Sequence, residues 1–168
     1  MGISEHLINV LSAIVAVEYM DYGFQKKYRG IKRFGFFCLG CIAYFSVVTV
    51  FNHLFEFEGV LGFFYGTTLI AYGLLALEGN WQDFVIMGVL WVFIAMISTY
   101  CIFGVTGIVS EKSLDMLLPL ADDKLLYASL VALVVKFSMG KVGVALFRKK
   151  VGVHKRENLI VAGAFVLM

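Results

Sequence analysis

The sequence holds a single proline, Pro119, among its 168 residues, and only 15% of its residues are charged. Hydrophobic residues make up 61%. Average soluble domains carry about a quarter charged residues and about half apolar ones, and a soluble chain of this size would leave too much apolar surface in water. This composition therefore excludes a soluble enzyme, a disordered tail and a nucleic-acid-binding module. Only a lipid bilayer would cover so many apolar side chains.

The sequence also lacks the motifs that mark familiar catalytic chemistry. It holds no G-x-x-x-x-G-K-[ST] phosphate-binding loop, no H-E-x-x-H zinc motif and no nucleophile elbow. We therefore expect neither catalysis by this chain nor a bound cofactor.

Cysteine and histidine are scarce. Cys38, Cys41 and Cys101 lie inside apolar runs, so no disulfide framework is expected. We interpret the CxxC pattern of Cys38 and Cys41 as two small buried side chains rather than as redox or metal ligands, because no polar chemistry flanks it. His53 and Glu56 could share a metal ion, but two ligands do not make a site, so a polar rim at a helix end is the simpler interpretation.

Long apolar runs dominate the chain. A membrane-spanning helix needs roughly 20 apolar residues. Five runs reach about this length: Ile3 to Tyr22, Phe34 to Phe55, Val60 to Leu77, Phe84 to Val109 and Leu125 to Phe147. A sixth run begins near Leu159 and stops at Met168. The sequence thus predicts an all-α, polytopic transmembrane bundle, a single domain over residues 1–168 with five full spans and the start of a sixth.

The basic residues indicate how this bundle is oriented. Residues 23–33 and 148–156 hold ten of the fourteen lysines and arginines, and an even number of spans separates these two segments, so they lie on one side. The segments on the opposite side carry only Lys112 and Lys124, among several carboxylates. The positive-inside bias therefore places the basic segments in the cytoplasm and the N-terminus outside. By parity, the turn from Glu78 to Asp83 is also cytoplasmic.

Four ionisable residues lie inside the predicted spans: Glu18, Asp21, Lys136 and Lys141. Charges at membrane depth are costly and usually face the bundle interior or a partner. Glu18 and Lys141 lie at similar depths and could pair, with Asp21 nearer the basic segment, while Lys136 lies close to the midplane. The simpler interpretation is a structural ion pair or a water-bridged lysine. The alternative is that Lys136 belongs to a switch whose packing differs between two receptor states. A proton path is less favoured, because only one ionisable group lies near the centre.

Four glycines share one face of the third run: Gly59, Gly62, Gly66 and Gly73. Small residues let helix backbones approach closely in lipid. The glycines therefore indicate either packing within the bundle or a groove that a partner or a second protomer fills.

The outer segment from Ser110 to Lys124 mixes four leucines and a methionine with charges around Pro119. Such a segment would not extend freely into water, so we expect it to lie along the membrane surface or to cap the bundle. Ligands often bind at loops of this kind. A ligand arriving from outside would meet this segment together with residues 55–59.

The layout of the chain resembles that of a known family. The first run ends in Glu18 and Asp21, and a basic loop, QKKYRGIKR, follows it. A short turn, LEGNWQDF, joins the third run to the fourth. The fifth run contains lysines and ends in FRKK. This order is similar to the N-terminal membrane sensor of Agr-type quorum-sensing histidine kinases, whose kinase half belongs to the GHKL ATPase superfamily. The resemblance implies seven spans, an outside N-terminus and an inside kinase, so we expect this chain to stop before a seventh span and a cytoplasmic kinase.

The resemblance also implies a function. The chain would be the sensor part of a bacterial two-component system in the plasma membrane, a homodimer that binds a secreted, often cyclic, peptide and passes a helix movement to the kinase. The chain itself would not be an enzyme. The expected ligand pocket faces outwards and includes Phe55, Glu56, Glu58, Tyr65, Tyr100, Leu117 and Leu118.

The alternative is a small membrane transporter or substrate-capture subunit. Transporter sites are usually built from helices broken by glycine or proline near the midplane. No proline lies in any predicted span, which disfavours a transporter, but Gly104 and Gly107 interrupt the fourth run towards its outer end. A scaffold protein without a ligand is a third interpretation.

Overall fold

The computed structural model of this chain describes residues 3–54, 58–109 and 122–151. These ranges form five helices, α1 (Ile3–Gly23), α2 (Ile31–Leu54), α3 (Glu58–Ala76), α4 (Trp81–Val109) and α5 (Asp122–Val151), and two short strands, β1 (Gln25–Lys26) and β2 (Leu77–Glu78). Each helix matches one predicted apolar run to within about four residues at either end. The all-α prediction is confirmed. The predicted start of a sixth span lies outside the described residues.

Three of the helices are long and apolar enough to cross a membrane within the described ranges. The qualifying stretches are Ile31–Phe51 in α2, Trp81–Ile102 in α4 and Ala128–Phe147 in α5. In α3 the apolar stretch Leu61–Ala76 is shorter. Helix α1 has the length but carries Asn9, Glu18 and Asp21 along it. Length and composition therefore support three of the five predicted spans.

The helices form a closed circuit. Each helix packs against the next one in the chain, and α5 returns to pack against α1. Helix α1 also touches α3 and α4, so it is the helix with the most neighbours. Buried side chains from the five helices meet in one core. The core includes Val17, Met20, Leu69, Phe84 and Val144, each of which is almost completely buried.

Two turns meet at one end of the bundle. Strand β1 follows α1, strand β2 follows α3, and the two pair antiparallel, with Gln25 opposite Glu78 and Lys26 opposite Leu77. The Phe24 ring lies 6.4 Å from the Phe147 ring, centroid to centroid, which brings the C-terminal part of α5 to the same end. Three segments are therefore neighbours at this end: the Gly23–Arg33 segment, the Glu78–Asp83 turn and the C-terminal part of α5. We call this end of the molecule the basic end.

The residue just before α2 and the residue just before α4 are each suited to starting a helix. Gly30 has a φ of 61°, in the left-handed region that glycine adopts without strain, and its carbonyl accepts a hydrogen bond from the Phe34 amide. The Asn80 carbonyl accepts hydrogen bonds from the amides of Asp83 and Phe84, and asparagine is a favoured N-cap residue. These two positions fix where the chain leaves each turn.

Candidate functional site: a buried aspartate at the basic end

A buried carboxylate joins four parts of the chain. The Asp21 side chain is only 8% exposed. Its Oδ1 atom accepts a hydrogen bond from the Tyr72 hydroxyl at 2.6 Å, and its Oδ2 atom lies 3.8 Å from Lys26 Nζ and 3.7 Å from an Arg33 guanidinium nitrogen. A buried carboxylate needs such partners because its desolvation is costly. Asp21 therefore holds together α1, β1, the start of α2 and the end of α3.

The position of Tyr72 depends on a glycine in the facing helix. A Cβ atom on Gly40 of α2 would lie 2.6 Å from the Tyr72 ring, closer than non-bonded carbon atoms can approach. Glycine at this position lets the ring pack directly on the α2 backbone. The hydroxyl of Tyr72 is thereby held between α2 and α1, within reach of Asp21.

A lysine makes a second connection at the same end. The Lys27 amide donates to the Ala76 carbonyl at 3.1 Å, and Lys27 Nζ donates to the Leu74 carbonyl at 2.6 Å. The last carbonyls of a helix lack partners within it, and a cation near this end is also favoured by the helix dipole. Lys27 therefore fastens the basic loop to the C-terminus of α3.

Aromatic side chains form a continuous row through the middle of the bundle. The rings of Tyr65 and Tyr44 lie 5.6 Å apart, the Trp91 indole nitrogen donates to the Tyr44 hydroxyl at 3.0 Å, and the rings of Trp91 and Tyr19 lie 4.9 Å apart. The Tyr19 hydroxyl donates to the Met87 carbonyl. Tyr19, Tyr44 and Trp91 are buried, so α1, α2 and α4 enclose packed rings here rather than an open passage.

The glycines of α3 lie against α4. A Cβ atom on Gly62 would lie 2.8 Å from Val92, and one on Gly73 would lie 2.7 Å from Phe84. Opposite Gly66, a Cβ atom on Gly88 would lie 3.1 Å from the Gly66 carbonyl oxygen. Three of the four predicted glycines therefore serve packing within the bundle, while the surroundings of Gly59 are outside the described side chains.

Glu18 and Lys141 lie in one groove between α1 and α5. Both residues are exposed, and Lys141 Nζ lies 4.1 Å from the centroid of the Phe137 ring. Within the described ranges no ion pair joins Glu18 to Lys141, so the two helices bring the predicted partners together without pairing them. Lys136 is half-buried on α5.

Two of the residues predicted to line the ligand pocket have described side chains. Tyr65 is half-buried beside Tyr44, and Tyr100 is exposed on α4. The others lie outside the described residues or side chains: Phe55, Glu56, Glu58, Leu117 and Leu118. The same is true of His53 and of most of the Ser110–Lys124 segment. The three cysteines are free thiols.

Sequence reasoning missed the partners of Asp21. Asp21 lies close in sequence to Lys26 and Arg33, and this closeness could have indicated the ion pairs. Tyr72 gave no such signal, because a tyrosine within an apolar run looks the same whether it faces lipid or a buried acid. Comparison of the chain with protein-family models, with curated proteins and with solved structures returns no match, so what this site does has to be inferred from its own residues.

Proposed function

We propose that this chain is the membrane-embedded sensor part of a bacterial two-component histidine kinase, which responds to a secreted peptide. The proposal rests on a difference at the basic end between helices α1, α2 and α3, which polar contacts join, and helix α5, which packs there through apolar contacts. The hydrogen bonds and ion pairs around Asp21 and Lys27 fasten α1, α2 and α3 to one another. Helix α5 meets the same end through apolar contacts such as Phe24 with Phe147. A helix that packs through apolar contacts on a fastened bundle can shift and pass a signal on.

The aromatic row supports a route for that signal. It begins at Tyr65 on α3, which belongs to the proposed ligand pocket, and reaches Tyr19 on α1. A Cβ atom on Gly140 of α5 would lie 3.0 Å from the Tyr19 ring, so α5 rests directly on the end of the row. A peptide shifts the equilibrium between two packings only by the difference in its affinity for them.

The proposed topology has five spans with the N-terminus outside. Helix α1 has 21 residues, enough to cross, and two of its polar residues, Asn9 and Asp21, are buried in the bundle. Glu18 is exposed, but it lies only about one turn from the cytoplasmic end of the helix. Helix α3 has 19 residues, which is roughly 28 Å and close to the thickness of the hydrocarbon core. Both helices thus have a physical reason to cross despite the composition of α1 and the shorter apolar stretch of α3.

Reporter fusions test this topology. We expect an alkaline phosphatase fused after Gly30 or Gly152 to be inactive, because both positions follow an odd number of spans and face the cytoplasm. The same enzyme fused within residues 110–121 is expected to be active. Active phosphatase at Gly30 or Gly152 would refute the topology and the receptor proposal with it.

The reading frame beyond Met168 and a response assay test the function. We expect the frame to continue into a seventh span, a helical linker and an ATP-binding fold, and a reporter gene downstream of the complete protein to respond to a peptide encoded nearby. A frame that ends at Met168 would favour the transporter or scaffold interpretation. The packed rings between α1, α2 and α4 disfavour a transport path there.

The role of Lys136 can be measured in the same assay. If Lys136 belongs to the moving contact between α5 and its neighbours, Lys136→Leu is expected to change the peptide concentration for half-maximal response by about fivefold or more, the usual range for coupled sites. Lys32→Leu is the matched control, because Lys32 is an exposed lysine at the basic end. An unchanged response in Lys136→Leu would remove this lysine from the switch.

A further inference from the structure

A groove on the outer surface of the bundle runs between α1 and α5 near the basic end. Its lining comes from Glu18, Tyr19, Tyr22, Phe137, Gly140, Lys141 and Val144. Gly140 brings the two helices close, and Val144 is fully buried at the base. The groove presents a carboxylate from α1 and an ammonium from α5, both exposed.

The surface around the groove is apolar. Along α1, the exposed residues Leu7, Val10 and Ile14 share one face with Glu18 and Tyr22. Along α5, Val134, Val142 and Leu146 are each at least 60% exposed. In a bilayer such a surface faces lipid tails. The groove therefore opens towards lipid rather than towards the bundle interior.

The depth of the groove suits a lipid headgroup. Lys141 precedes Arg148, the first residue of the basic stop, by seven residues, which is roughly 10 Å along a helix. Lys141 therefore lies about two helical turns from the membrane boundary. Tyr22 is 45% exposed and Trp81, at the same end, 61%, and aromatic residues of this kind mark the boundary between tails and headgroups.

Among the residues that the structure describes, neither Glu18 nor Lys141 belongs to an ion pair. Lys141 Nζ lies over the rings of Phe137 and Tyr22, at 4.1 Å and 5.8 Å from their centroids. A cation–π contact holds the ammonium in place but leaves its charge uncompensated. Glu18 makes no ion pair with any residue in the part of the chain that the structure describes. Charges at membrane depth are costly until something compensates them.

We propose that this groove binds the headgroup of a zwitterionic aminophospholipid, with the lipid phosphate on Lys141 and the lipid ammonium on Glu18. A cation and a carboxylate in one groove complement a phosphate linked to an ammonium. A purely anionic headgroup would bring its charge close to Glu18, and like charges repel. The proposal depends on insertion of the chain into a bilayer but not on peptide sensing.

Lipid binding to the purified, delipidated chain in detergent tests the proposal. Native mass spectrometry would count bound phosphatidylethanolamine, phosphatidylglycerol and diacylglycerol, the last serving as a control without a headgroup. We expect phosphatidylethanolamine to bind best and diacylglycerol to be lost. Lys141→Leu is expected to weaken phosphatidylethanolamine binding about fivefold, the effect of about 1 kcal/mol per basic residue, and Lys32→Leu less than twofold. Glu18→Gln is expected to remove the preference for phosphatidylethanolamine over phosphatidylglycerol.

Two results would overturn the proposal. One is an equal loss of binding in Lys141→Leu and Lys32→Leu, which would indicate general attraction to basic residues. The other is an unchanged preference between the two phospholipids in Glu18→Gln. Circular dichroism checks that each variant keeps its helix content, and Lys141→Gln replaces Lys141→Leu if the latter does not fold. Lipid binding without any peptide response would refute the sensor function alone.

Discussion

Asp21→Ala is expected to lower the free energy of unfolding by about 3 kcal/mol. The Tyr72 hydroxyl is 2.6 Å from the carboxylate, and a hydrogen bond to a charged group contributes about 1.5–3 kcal/mol. The alanine would also leave that hydroxyl without its acceptor. The ion pairs add less, because the Lys26 and Arg33 side chains are 30% and 53% exposed and solvent screens them. Reversible unfolding by dodecyl sulfate in mixed micelles measures the change.

Three further variants identify the source of this loss. Glu78→Ala is the matched control, since Glu78 is an exposed carboxylate at the same end, and we expect a change within about 0.5 kcal/mol. Asp21→Asn keeps an acceptor for Tyr72 but not the charge, whereas Tyr72→Phe keeps the charge but not the donor. Both should lose less than Asp21→Ala. If Asp21→Ala unfolds no more readily than Glu78→Ala, Asp21 does not hold the basic end together.

The same variant should open the basic loop to proteases. In inside-out vesicles we expect trypsin to cleave Asp21→Ala faster than the wild type at Lys26 or Lys27, because the loop then has fewer contacts holding it against α3. Glu78→Ala should be cleaved at the wild-type rate. Equal rates in all three proteins would mean that the contacts of Lys27 and the β1–β2 pair hold the loop without Asp21.

Gly88→Ala is expected to lower the free energy of unfolding by about 2 kcal/mol, within the range found for overpacked cores. The added Cβ atom would lie 2.9 Å from Ile70 Cγ1 and 3.1 Å from the Gly66 carbonyl oxygen. The isoleucine can move aside, but the carbonyl belongs to the α3 backbone, so α3 and α4 must separate. The same unfolding assay in mixed micelles measures the loss.

Gly35→Ala is the matched control for the glycine contact. Nothing lies within 4 Å of a Cβ atom at that position of α2, so we expect no loss and a gain of up to about 1 kcal/mol from helix propensity. Adding Ile70→Ala to Gly88→Ala should recover part of the loss as a coupling energy of about 1 kcal/mol. An equal response of Gly35→Ala and Gly88→Ala would contradict a close contact between α3 and α4.

The apolar runs predicted the helices well because each run is much longer than the few residues by which its ends differ from the ends of the helix. Which helices lie beside one another was harder to predict. The partnership of Tyr72 with Asp21 depends on how α3 is rotated against α2. Gly40 leaves room for the Tyr72 ring in that arrangement, through a contact that no periodicity reveals. The β1–β2 pair arises only because two turns converge at one end. Glu18 and Lys141 line one groove, but no ion pair joins them within the described ranges, because sharing a groove does not by itself bring two charges into contact.

The closed circuit of helices constrains the order in which the protein can be assembled in the cell. Helix α1 is synthesised first, but its neighbour α5 begins about a hundred residues later, at Asp122. Until then, the α1 face that packs on Val144 and Gly140 is without its cover, and this helix carries the buried polar groups Asn9 and Asp21. During synthesis α1 must therefore wait for α5, the helix that covers this face, and the basic loop that follows α1 keeps α1 in the correct orientation until then.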